Sequence, residues 1–144
     1  MRLWHYQLLP YLPEAQFKGQ LRELVAIMHD WRDKGRTNHI LINRVMEYPR
    51  GDLFSYFRAY FSEYRWRYND KMPSCYNEFC AFKGASEEPI HPFEGWHNRQ
   101  YLRLCMANLY EKHIFGRGSS RITDEDWQKL CAGYYAITGE AYKL

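Results

Sequence analysis

Apolar side chains recur at helical spacing near the start of the chain. Between Pro13 and about Asp33 they follow one another at intervals of three, four and seven residues. Pro13 suits the first turn of a helix, and Glu14 complements the positive charge at a helix start. The stripe consists of Phe17, Leu21, Leu24, Val25, Met28 and Trp31. This pattern predicts a long first helix that ends at Gly35.

Similar patterns predict three more helices. With Asp52 as its N-cap, one helix is predicted to run to about Tyr68. Its inward residues are Leu53, Phe57, Tyr60, Phe61 and Tyr64. Another is predicted from about Trp96 to His113. Its inward residues are Tyr101, Leu104, Cys105 and Leu109. Thr123 is the expected N-cap of the last helix.

Two segments are less regular. Residues 40–46 are compatible with a short helix or with a strand. Residues 69–95 are rich in proline and glycine and indicate a long connection, with a short helical turn near 76–82. A connection of this length is usually functional or a covering flap. No repeat or composition shift marks a second domain, so we expect one compact, mainly α domain over 1–144 with about four to five helices.

Composition and charge allow nucleic acid as a partner. The formal net charge is only +3, but residues 112–121 hold three basic residues and no acidic one. Aromatic residues make up 18% of the chain, and such a surplus fits either a thick core or a stacking surface for bases. No apolar run is long enough to span a membrane, and the beginning is too polar for a signal peptide. We therefore expect a monomeric cytoplasmic protein.

The cysteines do not indicate a metal site or a disulfide scaffold. Cys75 and Cys80 are five residues apart, and two further cysteines are widely spaced. Together with His91 and His97 they lack the paired short spacings of zinc ligands. We expect reduced thiols, no metal and no cofactor.

The face of the first helix opposite the apolar stripe carries the sharpest candidate chemistry. Arg22 and Glu23 are about 100° apart on a helix and flank a line of small residues, Gly19 and Ala26. Those small residues would let an incoming group reach the Glu23 carboxylate. A solvated helix face that tolerates a glycine is an equally good interpretation.

Two basic segments have alternative interpretations of the same kind. The segment Gly116-Arg-Gly-Ser-Ser-Arg121 lacks the lysine of a P-loop, so its glycines end a helix, although Arg117 and Arg121 could also hold a DNA phosphate. The arginines of the second long helix either follow a nucleic-acid backbone or form an ordinary charged outer face. They are Arg58, Arg65 and Arg67.

Several short motifs resemble those of the pyrimidine-dimer DNA glycosylase family, the endonuclease V type known from phage and bacteria. They are the opening Met-Arg-Leu-Trp, Leu9-Pro-Tyr-Leu12, Gln20-Leu-Arg-Glu-Leu24, Asp52-Leu-Phe-Ser-Tyr-Phe-Arg58, Tyr101-Leu-Arg-Leu-Cys-Met-Ala-Asn-Leu109 and the aromatic tail from Trp127 to Tyr142. The similarity extends over nearly the whole chain and is strongest to a bacterial branch that begins Met-Arg-Leu-Trp-His.

The resemblance implies a compact helical DNA-repair enzyme that removes damaged pyrimidines and then nicks the strand. In such enzymes a free amino terminus attacks the sugar carbon and forms an imine, while a glutamate on the first helix stabilises the cationic sugar. Glu23 matches that glutamate, and Arg22 matches the arginine beside it. An α-amine has a pKa near ~8, so part of it is neutral and nucleophilic at cellular pH.

We therefore expect Met1, Glu23 and Arg22 to be catalytic and double-stranded DNA to be the partner. The expected DNA-binding residues are Arg2, Lys18, His29, Arg117, Arg121, Tyr134 and Tyr135.

The sequence departs from the phage pattern at its start. There the initiator methionine is removed and threonine attacks, whereas the bulk of Arg2 is expected to keep Met1 in place. The AP lyase step is therefore left open. The histidine found early in the phage helix is absent, with His5 and His29 as candidates for its place. The alternatives are a catalytically inactive DNA-binding module of the same fold, and an interaction protein that does not bind nucleic acid.

Overall fold

The computed structural model describes residues 2–144, and every regular element in that range is helical. The α-helices are α1 (Glu14–Lys34), α2 (Ile40–Val45), α3 (Arg50–Arg67), α4 (Tyr76–Lys83), α5 (Arg99–Phe115) and α6 (Asp124–Thr138). Two 3-10 helices span Tyr6–Tyr11 and Gly118–Ser120. The mainly α expectation is confirmed, and residues 40–46 form a helix rather than a strand. No helix among the described residues is long and apolar enough to cross a membrane.

Two predicted helix ends are confirmed, and one predicted N-cap is wrong. Gly35 ends α1 with a φ of 65°, and the Thr123 hydroxyl caps α6 by accepting a hydrogen bond from the Asp126 N–H at 3.1 Å. Asp52 is not an N-cap, so that prediction is wrong. The helix α3 begins two residues earlier, and the Asp52 carboxylate instead accepts a hydrogen bond from the N–H of Phe93 at 2.8 Å.

The start of α5 also differs from the prediction. This helix begins at Arg99 rather than near Trp96, because the Asn98 side chain accepts a hydrogen bond from the Tyr101 N–H at 2.9 Å and so caps it. Leu104, predicted to face inward, is 53% exposed. Helical spacing alone assigned it to the apolar face of α5, whose buried residues are Leu102, Cys105, Met106 and Leu109.

Aromatic rings form a large part of the core. The Phe57 ring of α3 stacks on Phe79 of α4 with centroids 4.1 Å apart, and Phe17 of α1 stacks on Tyr60 of α3 at 4.2 Å. The 3-10 helix Tyr6–Tyr11 packs between α3 and α6. Most of the aromatic surplus is therefore core.

The arginines of α3 pair with carboxylates of the fold. Arg58 lies 2.8 Å from Glu88, and Arg67 lies 2.8 Å from Glu63 and covers the Phe17 ring. Arg65 makes a longer pair, at 3.3 Å, with Asp70. These contacts favour the structural interpretation of the three arginines over a nucleic-acid contact.

The connection 69–95 contains the predicted helical turn, α4, and folds over the beginning of α3. The N–H of Gly51 donates to the Ser86 hydroxyl at 2.8 Å, and the Ser55 hydroxyl donates to the carbonyl of Pro89. Of the two interpretations, the covering flap describes this segment.

Candidate active site and DNA interface

The beginning of the described chain lies against the middle of α1. The backbone N–H of Arg2 donates to Oε2 of Glu23 at 3.0 Å, and the Gln20 amide donates to the same oxygen at 3.3 Å. Glu23 is half-buried, so one part of its carboxylate stays accessible. Met1, the predicted nucleophile, lies outside the described residues. The structure thus brings Arg2 and Glu23 together.

A surface depression of about 490 Å³ opens beside Glu23. Its lining residues are Arg2, Trp4, Glu23, Asn108, Glu111, Lys112, Phe115 and Gly116. Cations from two separate elements, Arg2 and Lys112, therefore face the same space as the carboxylate. We call this space the Glu23 depression.

The basic segment after α5 borders the Glu23 depression. Gly116 lines it, Arg117 follows directly, and the Cα of Arg121 lies 3.2 Å from where a Cβ on Gly116 would be. Both arginines are exposed. The loop is fixed to α1 by Gln16, whose amide donates to the carbonyl of Ser120 at 2.9 Å. Two of the predicted phosphate contacts are thus at the rim of the candidate site.

The other predicted cations of α1 lie elsewhere. Arg22 and His29 line a different depression, of about 610 Å³, next to Cys75 and Glu78. His29 pairs with Glu78 at 3.0 Å, and Lys18 pairs with Glu14 at 3.2 Å. Arg22 and Glu23 are therefore not directed into one shared space, and the predicted roles of Arg22, Lys18 and His29 stay predictions.

The two tyrosines predicted to stack on DNA have different environments. Tyr134 is only 1% exposed, and its ring packs edge-on against Tyr142 at 5.3 Å. The prediction that Tyr134 stacks on a distorted duplex is wrong, because its ring belongs to the core. Tyr135 is 59% exposed on α6, and its contact with DNA stays a prediction.

A third depression, of about 520 Å³, is also lined by Arg2. The Arg44 guanidinium covers the Trp96 ring there at 4.5 Å, and Ile40 beside it is 85% exposed. The buried indole N–H of Trp96 has no partner among residues 2–144. The sequence did not indicate this pair, because Arg44 lies in the segment 40–46, whose pattern fits either a helix or a strand, and Trp96 is distant from it in the chain.

Two histidines anchor the next part of the N-terminal segment. The His5 Nδ1 accepts from the Gln7 N–H at 3.2 Å, so its Nε2–H donates to the carbonyl of His97 at 3.1 Å. The His97 Nδ1 accepts from the Tyr6 N–H at 3.3 Å. Burial lowers the pKa of His5 to about 4, and burial together with His5 and Arg44 lowers the pKa of His97 to about 2. Both rings are buried and neutral, so His5 is a packing group rather than a substitute for the missing helix histidine.

The two histidines considered as zinc ligands have other partners. The His91 ring is hydrogen-bonded to the Tyr6 hydroxyl at 2.9 Å, and His97 accepts from the Tyr6 N–H, while Cys75 and Cys80 are free thiols. Over residues 2–144 no group of three or more His, Cys, Asp or Glu side chains is arranged to hold a metal ion.

Comparison with known proteins identifies the family. The model of the pyrimidine dimer DNA glycosylase family matches residues 1–75, which include α1, Glu23 and most of the N-terminal contacts described above. The chain therefore belongs to this DNA-repair family. No curated protein and no solved structure matches it significantly.

Proposed function

We propose that the protein is a DNA glycosylase that removes damaged or modified pyrimidines from duplex DNA, with Glu23 and the amine of Met1 as its reactive groups. The observation that carries the proposal is the hydrogen bond from the Arg2 N–H to Glu23 at 3.0 Å. The nitrogen of Arg2 is also the nitrogen of the peptide bond to residue 1. The Arg2 nitrogen, to which Met1 is joined, is therefore within hydrogen-bonding distance of the carboxylate.

The proposed reaction exchanges one carbon–nitrogen bond for another. The neutral amine attacks the sugar carbon that carries the damaged base, and the glycosidic bond breaks, with its electron pair leaving on the base, which is protonated. Opening of the sugar ring then gives an imine between protein and DNA. The negative charge of Glu23 stabilises the cationic sugar, as carboxylates do in glycosidases, and the same carboxylate can carry protons. An AP lyase step would follow from the same imine.

Four basic residues line or border the Glu23 depression and can contact a duplex. Arg2 and Lys112 line it together with the carboxylates of Glu23 and Glu111, and the exposed Arg117 and Arg121 border it. Contacts of this kind neutralise phosphates and position a duplex without reading its sequence. A glycosylase must also take a nucleotide out of the base stack, and the depression offers a space beside the carboxylate.

Borohydride trapping tests the proposal directly. The wild-type protein is incubated with duplexes that carry either a thymine dimer or an abasic site, and borohydride reduces any imine to a stable adduct. We expect an adduct with the wild type and a loss of about 100-fold or more in Glu23→Gln. Adding Gly-Ser before Met1 should abolish trapping. The control is Glu47→Gln, which removes an exposed carboxylate outside the depression.

The intact mass of the purified protein shows whether Met1 is present, as the proposal requires. Adduct formation that survives both Glu23→Gln and the extension would contradict the proposed chemistry. Salt-dependent binding of duplex DNA without any adduct would identify a binding module instead.

A further inference from the structure

The backbone of residues 2–4 is held by side chains from three helices rather than by another strand. An extended segment leaves its N–H and C=O groups to be satisfied by other partners. Here the carbonyls of Arg2, Leu3 and Trp4 accept from Gln20, Tyr101 and Tyr56, respectively. These helices are α1, α5 and α3. We call these three side chains the N-terminal clamp.

Gln20 connects the clamp to Glu23. It is 1% exposed, and its amide Nε2 donates both to the carbonyl of Arg2 at 3.0 Å and to Glu23 at 3.3 Å. Its Oε1 accepts from the Trp4 N–H at 2.8 Å. The whole hydrogen-bonding capacity of the amide is therefore directed at the N-terminal segment, the carboxylate and the nearby Tyr56 hydroxyl.

The orientation of the Gln20 amide is fixed by its partners. The N–H of Trp4 can only donate, and the carbonyl of Arg2 can only accept. Rotating the amide by half a turn would place two donors against each other and two acceptors against each other. The Gln20 Nε2 must therefore face Glu23, which sets the position of the carboxylate oxygen that also accepts from Arg2.

Tyr56 of α3 contacts both the N-terminal segment and Gln20. It is fully buried, its hydroxyl donates to the carbonyl of Trp4, and it lies 3.2 Å from Oε1 of Gln20. Burial, with smaller contributions from Tyr101, Cys105 and Glu23, raises the pKa of Tyr56 well above its usual range, so the hydroxyl keeps its proton. One residue thus contacts both the N-terminal segment and the residue that orients Glu23.

We infer that Gln20 and Tyr56 are positioning residues for the reaction: they hold the start of the chain and the Glu23 carboxylate in one fixed relation. This inference rests on the proposed function. Small displacements of reacting groups cost large factors in rate even when substrate binding is unchanged. Loss of either residue should therefore slow imine formation without weakening DNA binding.

A matched pair on α3 separates positioning from stability. Tyr60 is also fully buried, and its hydroxyl donates to the carbonyl of Phe17 at 2.8 Å, away from the N-terminal segment. Tyr56→Phe and Tyr60→Phe each remove one buried hydrogen bond to a backbone carbonyl and should lower the midpoint of thermal unfolding similarly. Gln20→Met is the third variant, because it keeps the size of the side chain and removes its hydrogen bonds.

The measurement is single-turnover imine formation on an abasic duplex at saturating DNA, together with the Kd for that duplex. We expect Tyr56→Phe and Gln20→Met to slow trapping about 10-fold or more with an unchanged Kd, while Tyr60→Phe reacts at the wild-type rate. Wild-type rates in Tyr56→Phe and Gln20→Met, or equal slowing in Tyr60→Phe, would overturn the inference and leave the proposed function intact. Absence of any adduct with the wild-type protein would overturn both.

Discussion

His97 couples the docking of the N-terminal segment to pH. Its Nδ1 accepts a hydrogen bond from the N–H of Tyr6, and its ring stacks on the His5 ring with centroids 5.3 Å apart. Their pKa values, lowered to about 2 and about 4, lie below the value near ~6.5 expected in the unfolded chain. Below that pH the unfolded state takes up protons that the folded state does not. The stability that these rings contribute is therefore complete above pH ~6.5 and is lost as the pH falls from there toward the folded values.

We expect the free energy of unfolding to fall by about 2 kcal/mol per histidine between pH 7.5 and 5.0. His97→Asn keeps an acceptor for Tyr6 and removes the titrating ring, so the pH-dependent loss should shrink by about 2 kcal/mol even though the variant is less stable at pH 7.5. Urea titrations at the two pH values measure this. His39→Asn, at an exposed position, is the control. An unchanged loss in His97→Asn would contradict the prediction.

Individual residues also show how far sequence reasoning reaches. Glu23 and Arg2 were identified from motifs and prove to be hydrogen-bonded to each other. Gln20 and Tyr56 were missed, because a hydrophobic pattern does not assign buried polar groups that long-range contacts satisfy. One pattern in the sequence does point to Gln20. The polar residues Gln16, Gln20 and Glu23 are spaced by four and three positions, so they lie along one face of α1.

Two glycines within helices have opposite surroundings. At Gly19 in α1 an added Cβ would come no closer than 3.9 Å to the Arg22 guanidinium, whereas at Gly133 in α6 it would overlap the Tyr11 ring. Gly133 therefore lets the 3-10 helix Tyr6–Tyr11 approach α6 closely. Gly19 has no such packing reason, which is consistent with either an open helix face or a tolerated glycine.

Alanine substitution should separate these roles. Gly19→Ala should raise the free energy of unfolding by about 0.5–1 kcal/mol, because alanine favours a helix interior. Gly133→Ala should lower it by about 1–3 kcal/mol, because Tyr11 must move. Urea titrations of both variants check the two directions. A parallel loss of DNA binding in Gly19→Ala would support the interpretation that the glycine keeps room for an incoming group, and unchanged binding would contradict it.

At the level of elements, the long helices follow from their apolar periodicity and caps. The error at Asp52 concerns a partner that lies far away in sequence, whereas the start of α5 is set by a local cap, Asn98. Asp52 has the composition of an N-cap but is recruited by the backbone of Phe93, more than forty residues later. Leu104 has the spacing of a core residue but is 53% exposed on α5. Local patterns therefore determine where the helices form. The connection 69–95 determines that the Asp52 carboxylate near the start of α3 binds the Phe93 N–H instead of capping the helix.

At the scale of the whole molecule, the candidate site depends on both halves of the chain. The family match ends at residue 75, yet the carbonyl of Leu3 is held by Tyr101 of α5, and the Glu23 depression is closed by Lys112 and Phe115. The second half also supplies much of the core. Its buried apolar residues are Phe79, Phe82, Phe93, Trp96, Leu102, Cys105, Met106, Leu109, Ile122, Leu130 and Tyr134.

We therefore propose that residues 1–144 fold as one cooperative domain, and that a fragment of residues 1–75 does not fold. Burying one large apolar side chain contributes about 1.5–3 kcal/mol, and a domain is stable by only about 5–15 kcal/mol in total. Removing the second half exposes the faces of Phe57 and Tyr56 and leaves Leu3 without its partner, so neither core nor site can form. Circular dichroism should show one sharp thermal transition for the whole chain and none for the fragment, which should also fail to trap abasic DNA. A fragment that melts cooperatively and forms the adduct would show instead that the matched region is a complete domain, with α4 to α6 as an accessory layer.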